Sequence, residues 1–317
     1  MDNLINVVIR EKNSIARDVV ELTLDCAKLD EALPSWSPGD HIDFHVGSNG
    51  DVINQYSLCG RRCDKSWKIA VLKNVNGKGG SQYIHDELKV GDVVKVSAPK
   101  NNFKFSCDNF SSACFIAGGI GITPILPMIQ EAETQGIEWH LTYLSRSEDR
   151  MAYKDFLADY PRSKVSYHFD SVSGIFDIEG CIHRARLNKS IIYSCGPEKL
   201  LDALEAKCNE LGVHLVTERF SASVDDSFNK PFHVKIKSSG QTYYIPEHKS
   251  ILDVLGENGC KVVNSCRSGV CGTCETRVVS GVPYHRDKVL TKEEQEENSY
   301  MMICVSRAIS DEIVLDI

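Results

Sequence analysis

The segment CRSGVCGTC at residues 266–274, with a fourth cysteine farther along at Cys304, decides how this chain is interpreted. Its spacing, C-x4-C-x2-C followed by a distant cysteine, is that of a plant-type [2Fe–2S] centre, in which four thiolates hold two irons. Glycines and other small residues between the cysteines allow the backbone to wrap closely around a cluster and to point N–H groups at its sulfurs. We therefore predict that the segment binds a one-electron carrier and that the chain transfers electrons. The predicted ligands are Cys266, Cys271, Cys274 and Cys304.

Two other interpretations of these cysteines are a structural zinc site and disulfide bonds. Zinc sites usually use two separated C-x2-C pairs, whereas this segment contains one. Disulfides require an oxidising compartment, and the first residues, Met1 to Asn6, lack the basic and apolar regions of a signal peptide. The 13 cysteines of the chain therefore suggest a reducing cytoplasm, in which those outside the motif are small core residues.

Length, composition and charge limit the remaining functions. A chain of 317 residues is long enough for two or three domains, and 42% hydrophobic with 25% charged residues is typical of a globular protein. The net charge of −8 argues against nucleic acid as a partner. No apolar run approaches the length of a membrane span, so we expect no membrane partner.

The N-terminal part, residues 1–104, has the pattern of a small antiparallel β-barrel. Turn sequences such as Pro38-Gly39-Asp40 separate short apolar segments at regular spacing, which is typical of closed all-β folds. A short helix, Gln82–Leu88, is predicted to begin with Ser81 as its cap. The predicted strands are Leu4–Arg10, Val19–Leu24, His41–Val46, Gln55–Cys59, Trp67–Leu72 and Val93–Ser97.

The middle part, residues 105–224, alternates between strands and helices, which indicates a parallel sheet with covering helices. The predicted strands are Ala113–Ala117, His140–Ser145 and Ile191–Cys195. The predicted helices are Pro124–Gln135, Ala152–Ala158 and Glu198–Leu211, the last ending at Gly212. A polar segment without periodicity, residues 221–231, is interpreted as a linker.

The C-terminal part, residues 225–317, is predicted to be a plant-type ferredoxin domain with a β-grasp fold. A hairpin formed by Phe232–Lys237 and Gln241–Ile245 and a helix over Ile251–Asn258 precede the cysteine loop. The chain is therefore predicted to be a multidomain protein with the barrel, the parallel-sheet domain and the cluster domain in that order.

Two glycine-rich turns in the middle part indicate nucleotide binding. Residues 117–124, AGGIGITP, leave a strand and open a helix, where glycines let the backbone approach a pyrophosphate. Thr123 is placed to cap that helix, and Pro124 suits its first turn. A second turn, Cys195-Gly196-Pro197, follows another strand at the edge of the sheet where ligands bind. Each turn alone is also compatible with a purely structural role.

Weaker signals in the barrel indicate a flavin. Tyr56 is suited to stacking on a flavin ring, and Lys78 with Ser81, at the start of the predicted helix, is suited to a phosphate. The alternatives are an ordinary core tyrosine and an ordinary glycine turn.

Together these motifs resemble the class IA reductase components of Rieske-type oxygenases, the family typified by phthalate dioxygenase reductase. The resemblance covers essentially the whole chain, and the domain order excludes related reductases with an N-terminal ferredoxin. The matching motifs are Tyr56-Ser57-Leu58, Gly79-Gly80-Ser81, Gly118 to Pro124, Cys195-Gly196-Pro197, the cysteine motif, His285-Arg286-Asp287, Cys304 to Ala308 and Val314 to Ile317.

The resemblance implies an NADH-dependent iron–sulfur flavoprotein acting in the cytoplasm, as a monomer, in aromatic catabolism. Hydride is expected to pass from NADH to FMN, and single electrons to pass through the cluster to a terminal oxygenase. The implied flavin contacts are Asn54, Gln55, Tyr56, Ser57, Ala70, Val71, Leu72, Lys78, Gly79, Gly80, Ser81, Thr123 and Phe220. The other predicted cofactor-binding residues are Gly118, Gly119, Gly121, Ser145, Arg146, Cys195, Gly196 and Pro197, and the predicted catalytic residues are Thr123, Cys195 and Phe220.

Asn54 departs from the family pattern, because arginine usually stands there and helps to bind the flavin phosphate. The loop at residues 145–149, SRSED, has mixed signals for nucleotide choice. The carboxylates of this loop disfavour the 2′-phosphate of NADPH, whereas Arg146 favours it. Because the two signals conflict, the expectation of NADH rests on the family resemblance. Alternative functions are a reductase for a P450 or a diiron hydroxylase and, from a different class, an iron–sulfur redox sensor. A redox sensor would need no hydride donor. The nucleotide motifs indicate that the chain binds one, which argues against a sensor.

Overall fold

The structure is a computed structural model that describes residues 4–28, 31–47, 52–75, 79–220, 229–264 and 266–317. The chain divides into two compact units, Met1–Arg219 and Phe220–Ile317. Residues 221–228, most of the predicted linker, lie outside the described residues. Among the residues described, no helix combines the length and the apolar composition that a membrane crossing requires.

The first unit begins with the predicted antiparallel barrel. Its strands are β1 (Ile5–Ala16), β2 (Val19–Cys26), β3 (Asp40–Val46), β4 (Val52–Ser57), β5 (Trp67–Leu72), β6 (Val93–Val96) and β7 (Lys100–Asn101), with helix α1 (Gly80–Asp86). The order is β4-β3-β6-β1-β2-β5, and β7 pairs with β3. A bridge between Leu58 and Ile69 connects the end of β4 to β5, which closes the sheet on itself. Alternating apolar residues of these strands point inward and form the core.

Ser81 does not cap α1, so that prediction was wrong. The helix begins at Gly80, with Gly79 in the N-cap position and no side-chain cap. The Ser81 hydroxyl instead accepts a hydrogen bond of 2.9 Å from the backbone N–H of Asn74. A serine hydroxyl bonds whichever backbone group lies nearest, and here that group belongs to the loop after β5.

The rest of the first unit is the predicted parallel sheet with helices. Its strands are β8 (Ser112–Gly118), β9 (Glu138–Ser145), β10 (Val165–Phe169), β11 (Ser190–Cys195) and β12 (Leu215–Glu218). Its helices are α2 (Ile122–Gln135), α3 (Lys154–Leu157), α4 (Asp170–Ser173), α5 (Ile178–Leu187) and α6 (Glu198–Leu211). The strand order is β10-β9-β8-β11-β12, and all neighbours are parallel. Helix α3 is shorter than predicted, because Tyr153 adopts a left-handed backbone conformation with φ 61° immediately before it.

The second unit has a mixed sheet with a helix packed against it, as predicted for the ferredoxin domain. Its elements are β13 (Phe232–Ile236), β14 (Thr242–Ile245), α7 (Ile251–Glu257), β15 (Glu275–Ser280), β16 (Pro283–Tyr284), α8 (Lys292–Glu297), β17 (Tyr300–Met302), β18 (Arg307–Ala308) and β19 (Glu312–Leu315). The order of the larger sheet is β14-β13-β19-β15-β17, with β13 and β19 parallel. Helix α7 begins with a capping box between Ser250 and Asp253. This arrangement positions the cysteine loop between α7 and β15.

A buried polar network links the barrel to the segment before α3 within the first unit. Glu21 is only 7% exposed and accepts 2.9 Å hydrogen bonds from Lys68 Nζ and from the Tyr153 hydroxyl. The Cys59 sulfur lies 3.1 Å from the same hydroxyl. Because a buried carboxylate needs its partners, these contacts fix the segment before α3 against the barrel.

We expect Tyr153→Phe to lower the free energy of unfolding by about 1–2 kcal/mol, because one buried oxygen of Glu21 loses its donor. The measurement is the unfolding midpoint in urea, followed by tryptophan fluorescence. Tyr167→Phe is the matched control, since Tyr167 is 36% exposed and an exposed hydroxyl contributes within about 0.5 kcal/mol. Equal losses in the two variants would contradict the role assigned to this network.

Candidate functional site

The two glycine-rich turns meet at the carboxyl ends of neighbouring strands β8 and β11. A Cβ atom added at Gly121 would lie 2.2 Å from the carbonyl oxygen of Cys195, and one at Gly196 would lie 2.9 Å from Gly118 Cα. Side chains are therefore excluded, and the turns pack backbone against backbone. This edge is where parallel sheets bind nucleotides, so the turns form a ligand surface made of main chain.

Thr123 does not cap α2, which was the second wrong cap prediction. The helix begins at Ile122, with Gly121 in the N-cap position and no side-chain hydrogen bond. Thr123 is only 2% exposed, and its hydroxyl donates to the carbonyl oxygen of Ile120 at 3.0 Å. Thr123 thus stabilises the glycine turn, and the first amides of α2 have no side-chain cap.

Strand β4 carries the predicted flavin residues of the barrel. Asn54 lies against the start of α1, because a Cβ atom added at Gly80 would come within 2.2 Å of its Oδ1 atom. The Gln55 amide nitrogen donates to Asp43 at 2.8 Å, which fixes that side chain on the barrel. The Tyr56 hydroxyl is buried without a hydrogen-bond partner among the described residues.

The other predicted flavin residues are arranged around the same end of the barrel. Ala70 and Val71 on β5 are buried, whereas Leu72 is 38% exposed. Gly79, Gly80 and Ser81 form the start of α1. Lys78 lies outside the described residues.

Glu218 is a candidate functional residue that the sequence prediction missed. It ends β12, in register with Cys195 at the end of β11. Burial raises the pKa of Glu218 to about 8, and the nearby Ser57 hydroxyl opposes that shift. The two groups are close enough to interact, although no hydrogen bond of ordinary geometry joins Ser57 Oγ to Glu218 Oε2, and both atoms are buried. Burial, with a smaller contribution from Glu218, also raises the pKa of Cys195.

Three polar groups thus come together where the barrel meets the parallel sheet. They are the hydroxyl of Ser57, the thiol of Cys195 and the protonated carboxyl of Glu218. A carboxyl that titrates near neutral pH is suited to proton transfer. The signal that would have found Glu218 is the register of β12, a strand that was not predicted.

The residues predicted to select the nucleotide follow β9. The Ser145 hydroxyl donates to the carbonyl oxygen of Ser147 at 2.9 Å, and the Arg146 side chain is exposed. Glu148 pairs with Lys154, and Asp149 lies 3.4 Å from Arg17. Each carboxylate of this loop therefore has a cationic neighbour within its own unit.

The four cysteines of the second unit lie together in two contacting pairs. The neighbouring Cys266 lowers the pKa of Cys271 to about 5, and Cys304 likewise lowers the pKa of Cys274. No three His, Cys, Asp or Glu side chains of the described segments converge as ligands of one metal ion. Two thiol pairs match a centre with two irons, each held by two thiolates.

Comparison with known proteins finds matches to two domain families and to relatives that align with nearly the whole chain. Residues 6–105 match the oxidoreductase FAD-binding domain family, and residues 234–308 match the 2Fe-2S iron-sulfur cluster binding domain family. Phthalate dioxygenase reductase from Burkholderia cepacia is 35% identical over 325 residues, which cover 100% of this chain and 98% of that protein. The crystal structure of a phthalate dioxygenase reductase superposes with a TM-score of 0.82, covering 99% of this chain and 98% of the other. The chain belongs to the phthalate dioxygenase reductase family.

Other relatives of this reductase are named as a monooxygenase reductase subunit and as an O-demethylase oxidoreductase. The carnitine monooxygenase reductase subunit of Escherichia coli K12 is 36% identical, and the match covers 90% of each chain. The vanillate O-demethylase oxidoreductase of a Pseudomonas species is 35% identical, covering 99% of this chain and 100% of that protein. These matches confirm the predicted family, and with it an oxidoreductase that transfers electrons through a flavin and a [2Fe–2S] cluster.

The residues of the reductase fit a flavin at the edge of the barrel. Ser57 Oγ, Glu218 Oε2 and the Tyr56 hydroxyl are all buried without a hydrogen-bond partner in the described part of the chain. Buried polar groups are normally satisfied, so unsatisfied ones indicate a missing polar partner. The ring of a flavin supplies both polar atoms and an apolar face. Phe220, the predicted aromatic neighbour of the flavin, is the first residue of the second unit and is 43% exposed.

The cysteine loop of the reductase is equally suited to its cluster. The backbone N–H of Ser268 donates to the Cys266 sulfur at 3.3 Å, as the small residues of the loop predicted. Gly269 has φ 70°, and a Cβ atom there would lie 2.6 Å from Val305. Asp287 connects the segments that follow the loop, because it accepts hydrogen bonds from the Leu290 amide at 2.9 Å and from the Ser306 hydroxyl at 3.2 Å. The loop is therefore held in a shape that points main-chain donors at sulfur.

Proposed function

We propose that this reductase oxidises NADH at an FMN-containing site and delivers single electrons through its [2Fe–2S] cluster to a terminal oxygenase. The observation that carries the proposal is the meeting of Ser57, Cys195 and Glu218 between the barrel and the two glycine turns. Under this proposal residues 1–104 hold FMN, residues 105–224 hold the nicotinamide nucleotide and residues 225–317 hold the cluster.

Each group of residues then has a role. When bound, the flavin accepts two electrons as a hydride and releases them singly, as a one-electron cluster requires. The backbone of the two glycine turns binds the pyrophosphate of the nucleotide, and Thr123 fixes the shape of the first turn. Glu218 and Ser57 hold a proton beside the flavin, and Cys195 borders the place of the nicotinamide. Cys266 and Cys271 hold one iron, and Cys274 and Cys304 hold the other.

A terminal oxygenase is the proposed electron acceptor because full-length relatives are named as reductases of oxygenases. A specific observation also favours a P450 as a second candidate. An intact self-sufficient cytochrome P450 monooxygenase contains a part that superposes on 99% of this chain, with 34% identity and a TM-score of 0.77. The match covers 41% of that P450 chain, so a P450 is the second acceptor to compare.

The test is reconstitution with purified components. The reductase, NADH and either a Rieske-type oxygenase or a P450 are combined, and substrate oxidation is measured against the reductase alone. The released flavin is identified by mass after heat denaturation. Release of FAD, or NADH oxidation without transfer to either class of oxygenase, would contradict the proposal.

We expect kcat/KM to be higher for NADH than for NADPH. The loop after β9 carries Glu148 and Asp149 beside Arg146, and the family resemblance favours NADH. Both nucleotides are compared at one ionic strength in the wild type and in Arg146→Gln. A higher value for NADPH that Arg146→Gln removes would show that the arginine faces a 2′-phosphate.

We expect Asn54→Arg to tighten FMN binding by about tenfold, because a guanidinium adds a charge-assisted contact to phosphate worth about 1.5 kcal/mol. The FMN dissociation constant is measured by fluorescence titration of the deflavinated protein. Asn54→Gln is the control, since it lengthens the side chain beside Gly80 without adding charge. An unchanged constant in Asn54→Arg would show that another residue already binds the phosphate.

A further inference from the structure

A cavity of about 430 Å³ lies on the α5 side of the parallel sheet, away from the glycine turns. The cavity lies toward the amino ends of the strands, because it is lined by the first residues of β8, β9 and β11, which are Ser112, Glu138 and Ser190. Cys114 of β8 and Cys181 of α5 line the same cavity. The site proposed for the nucleotide occupies the opposite ends of these strands, so the cavity has no assigned role.

Cys181 is surrounded by hydrogen-bond donors. Cys114, Thr142 and Arg184 line the same cavity as Cys181 and lie close enough to interact with its sulfur. The contact with Cys114 contributes most, and together the donors lower the pKa of Cys181 to about 7 against the effect of burial. A sulfur that receives three donors, one of them a cation, is stabilised as thiolate, which is the reactive form.

The neighbouring thiols have the opposite character. The contact with Cys181 and burial raise the pKa of Cys114, which therefore keeps its proton and donates it. Burial raises the pKa of Cys208, on α6 in the same apolar cluster, to about 11. A cysteine with a lowered pKa beside a cysteine with a raised pKa is the arrangement of a reactive cysteine beside a resolving cysteine.

We propose that Cys181 and Cys114 form a peroxide-sensitive dithiol site, with Cys181 as the nucleophile and Cys114 as the resolving thiol. Cys181 is 3% exposed and Cys114 is 8% exposed, and both line the cavity, so we expect a small oxidant to reach the sulfurs more readily than a bulky electrophile. Arg184 and Thr142 hold the sulfur in its reactive form from the wall of that cavity. The chemical class of the oxidant is hydrogen peroxide.

The reaction balances with two thiols and one peroxide. The Cys181 thiolate attacks one peroxide oxygen, the O–O bond breaks, and sulfenic acid and hydroxide form. The Cys114 sulfur then attacks the Cys181 sulfur, forming the S–S bond, and the hydroxyl leaves as water with the Cys114 proton. The two thiols lose two electrons and the peroxide gains them, so the net products are one disulfide and two waters. A dithiol reductant reverses the step.

The test uses the full-length protein with its cofactors bound. Reduced protein is desalted without oxygen and treated with hydrogen peroxide at doses that leave the visible absorbance of the cluster unchanged. Free thiols are then alkylated, and the peptides are analysed by mass spectrometry. We expect a Cys114–Cys181 linked peptide that dithiothreitol removes, forming about tenfold faster than oxidation of the exposed Cys63.

Variants separate this site from general oxidation. Cys114→Ser is expected to stop Cys181 at the sulfenic acid, which dimedone traps, whereas Cys208→Ser is expected to leave the linked peptide intact. Arg184→Gln is expected to slow the reaction severalfold, and Arg186→Gln, at an exposed residue of the same helix that does not line the cavity, is its control. The proposal would be overturned if Cys181 is oxidised no faster than Cys63, or if Arg184→Gln leaves the rate unchanged.

Discussion

Cys271→Ser is expected to lower NADH-dependent reduction of cytochrome c by about two orders of magnitude while NADH still bleaches the flavin. Cys271 is one of the two thiols assigned to a single iron, and serine is a poor substitute for a thiolate ligand. The cysteines belong to the unit Phe220–Ile317, whereas the barrel and the glycine turns belong to Met1–Arg219. Hydride transfer therefore does not require the cluster, and delivery of single electrons does.

The measurement is stopped-flow flavin reduction beside steady-state reduction of cytochrome c and ferricyanide. Cys260→Ser is the matched control, because Cys260 lies in the same unit, outside the motif, with its sulfur 3.5 Å from the Tyr243 hydroxyl. That variant should keep its cluster and its full activity. A folded Cys271→Ser protein that no longer reduces its flavin would show that the two redox sites are not separable.

The cluster site could be predicted because its information is local. Three of the four ligands, Cys266, Cys271 and Cys274, lie within nine residues together with the small residues that shape their loop, and only Cys304 is distant. The same holds for the end of α6 at Gly212, where a left-handed residue with φ 63° stops the helix. Local patterns also predicted the strands of the barrel, whose inward residues alternate.

The helix caps were predicted wrongly because a cap depends on where a hydroxyl points, which the sequence does not specify. Ser81 bonds the Asn74 amide, and Thr123 bonds the Ile120 carbonyl, so both hydroxyls serve the turn and not the helix. In each case a glycine occupies the N-cap position. Polar side chains near a glycine turn have several backbone groups within reach, and the tertiary structure selects among them.

Glu218 could not be found from local sequence because its character is created by its surroundings. Strand β12 is short and only partly buried, so its pattern is weak. The carboxyl acquires its raised pKa from burial beside Ser57, a residue far away in sequence. Nothing in the sequence around Glu218 distinguishes it from a surface glutamate such as Glu210, whereas the register of β12 with β11 does.

Flavin reduction by NADH is expected to fall about tenfold between pH 7 and pH 9 in the wild type and to lose that dependence in Glu218→Gln. This expectation rests on the proposed function. The pKa of Glu218 is raised to about 8, so the carboxyl is mostly protonated at pH 7 and mostly ionised at pH 9. Only the protonated form holds a proton for the flavin site, and an anion there opposes the arrival of negative charge as hydride. Glutamine stays neutral across this range, so its rate should be lower and flat.

Thermal stability tests the same carboxyl without using activity. Because the pKa of Glu218 is raised in the folded state, its contribution to stability is fully present below the ordinary pKa of 4.5 and is lost as pH rises through about 8. The melting temperature of Glu218→Gln relative to wild type should therefore be higher at pH 9 than at pH 6. Glu210→Gln, an exposed residue of α6, should show no such difference. If the wild-type rate and the difference in melting temperature are both flat from pH 6 to pH 9, Glu218 is not the buried acid of this site.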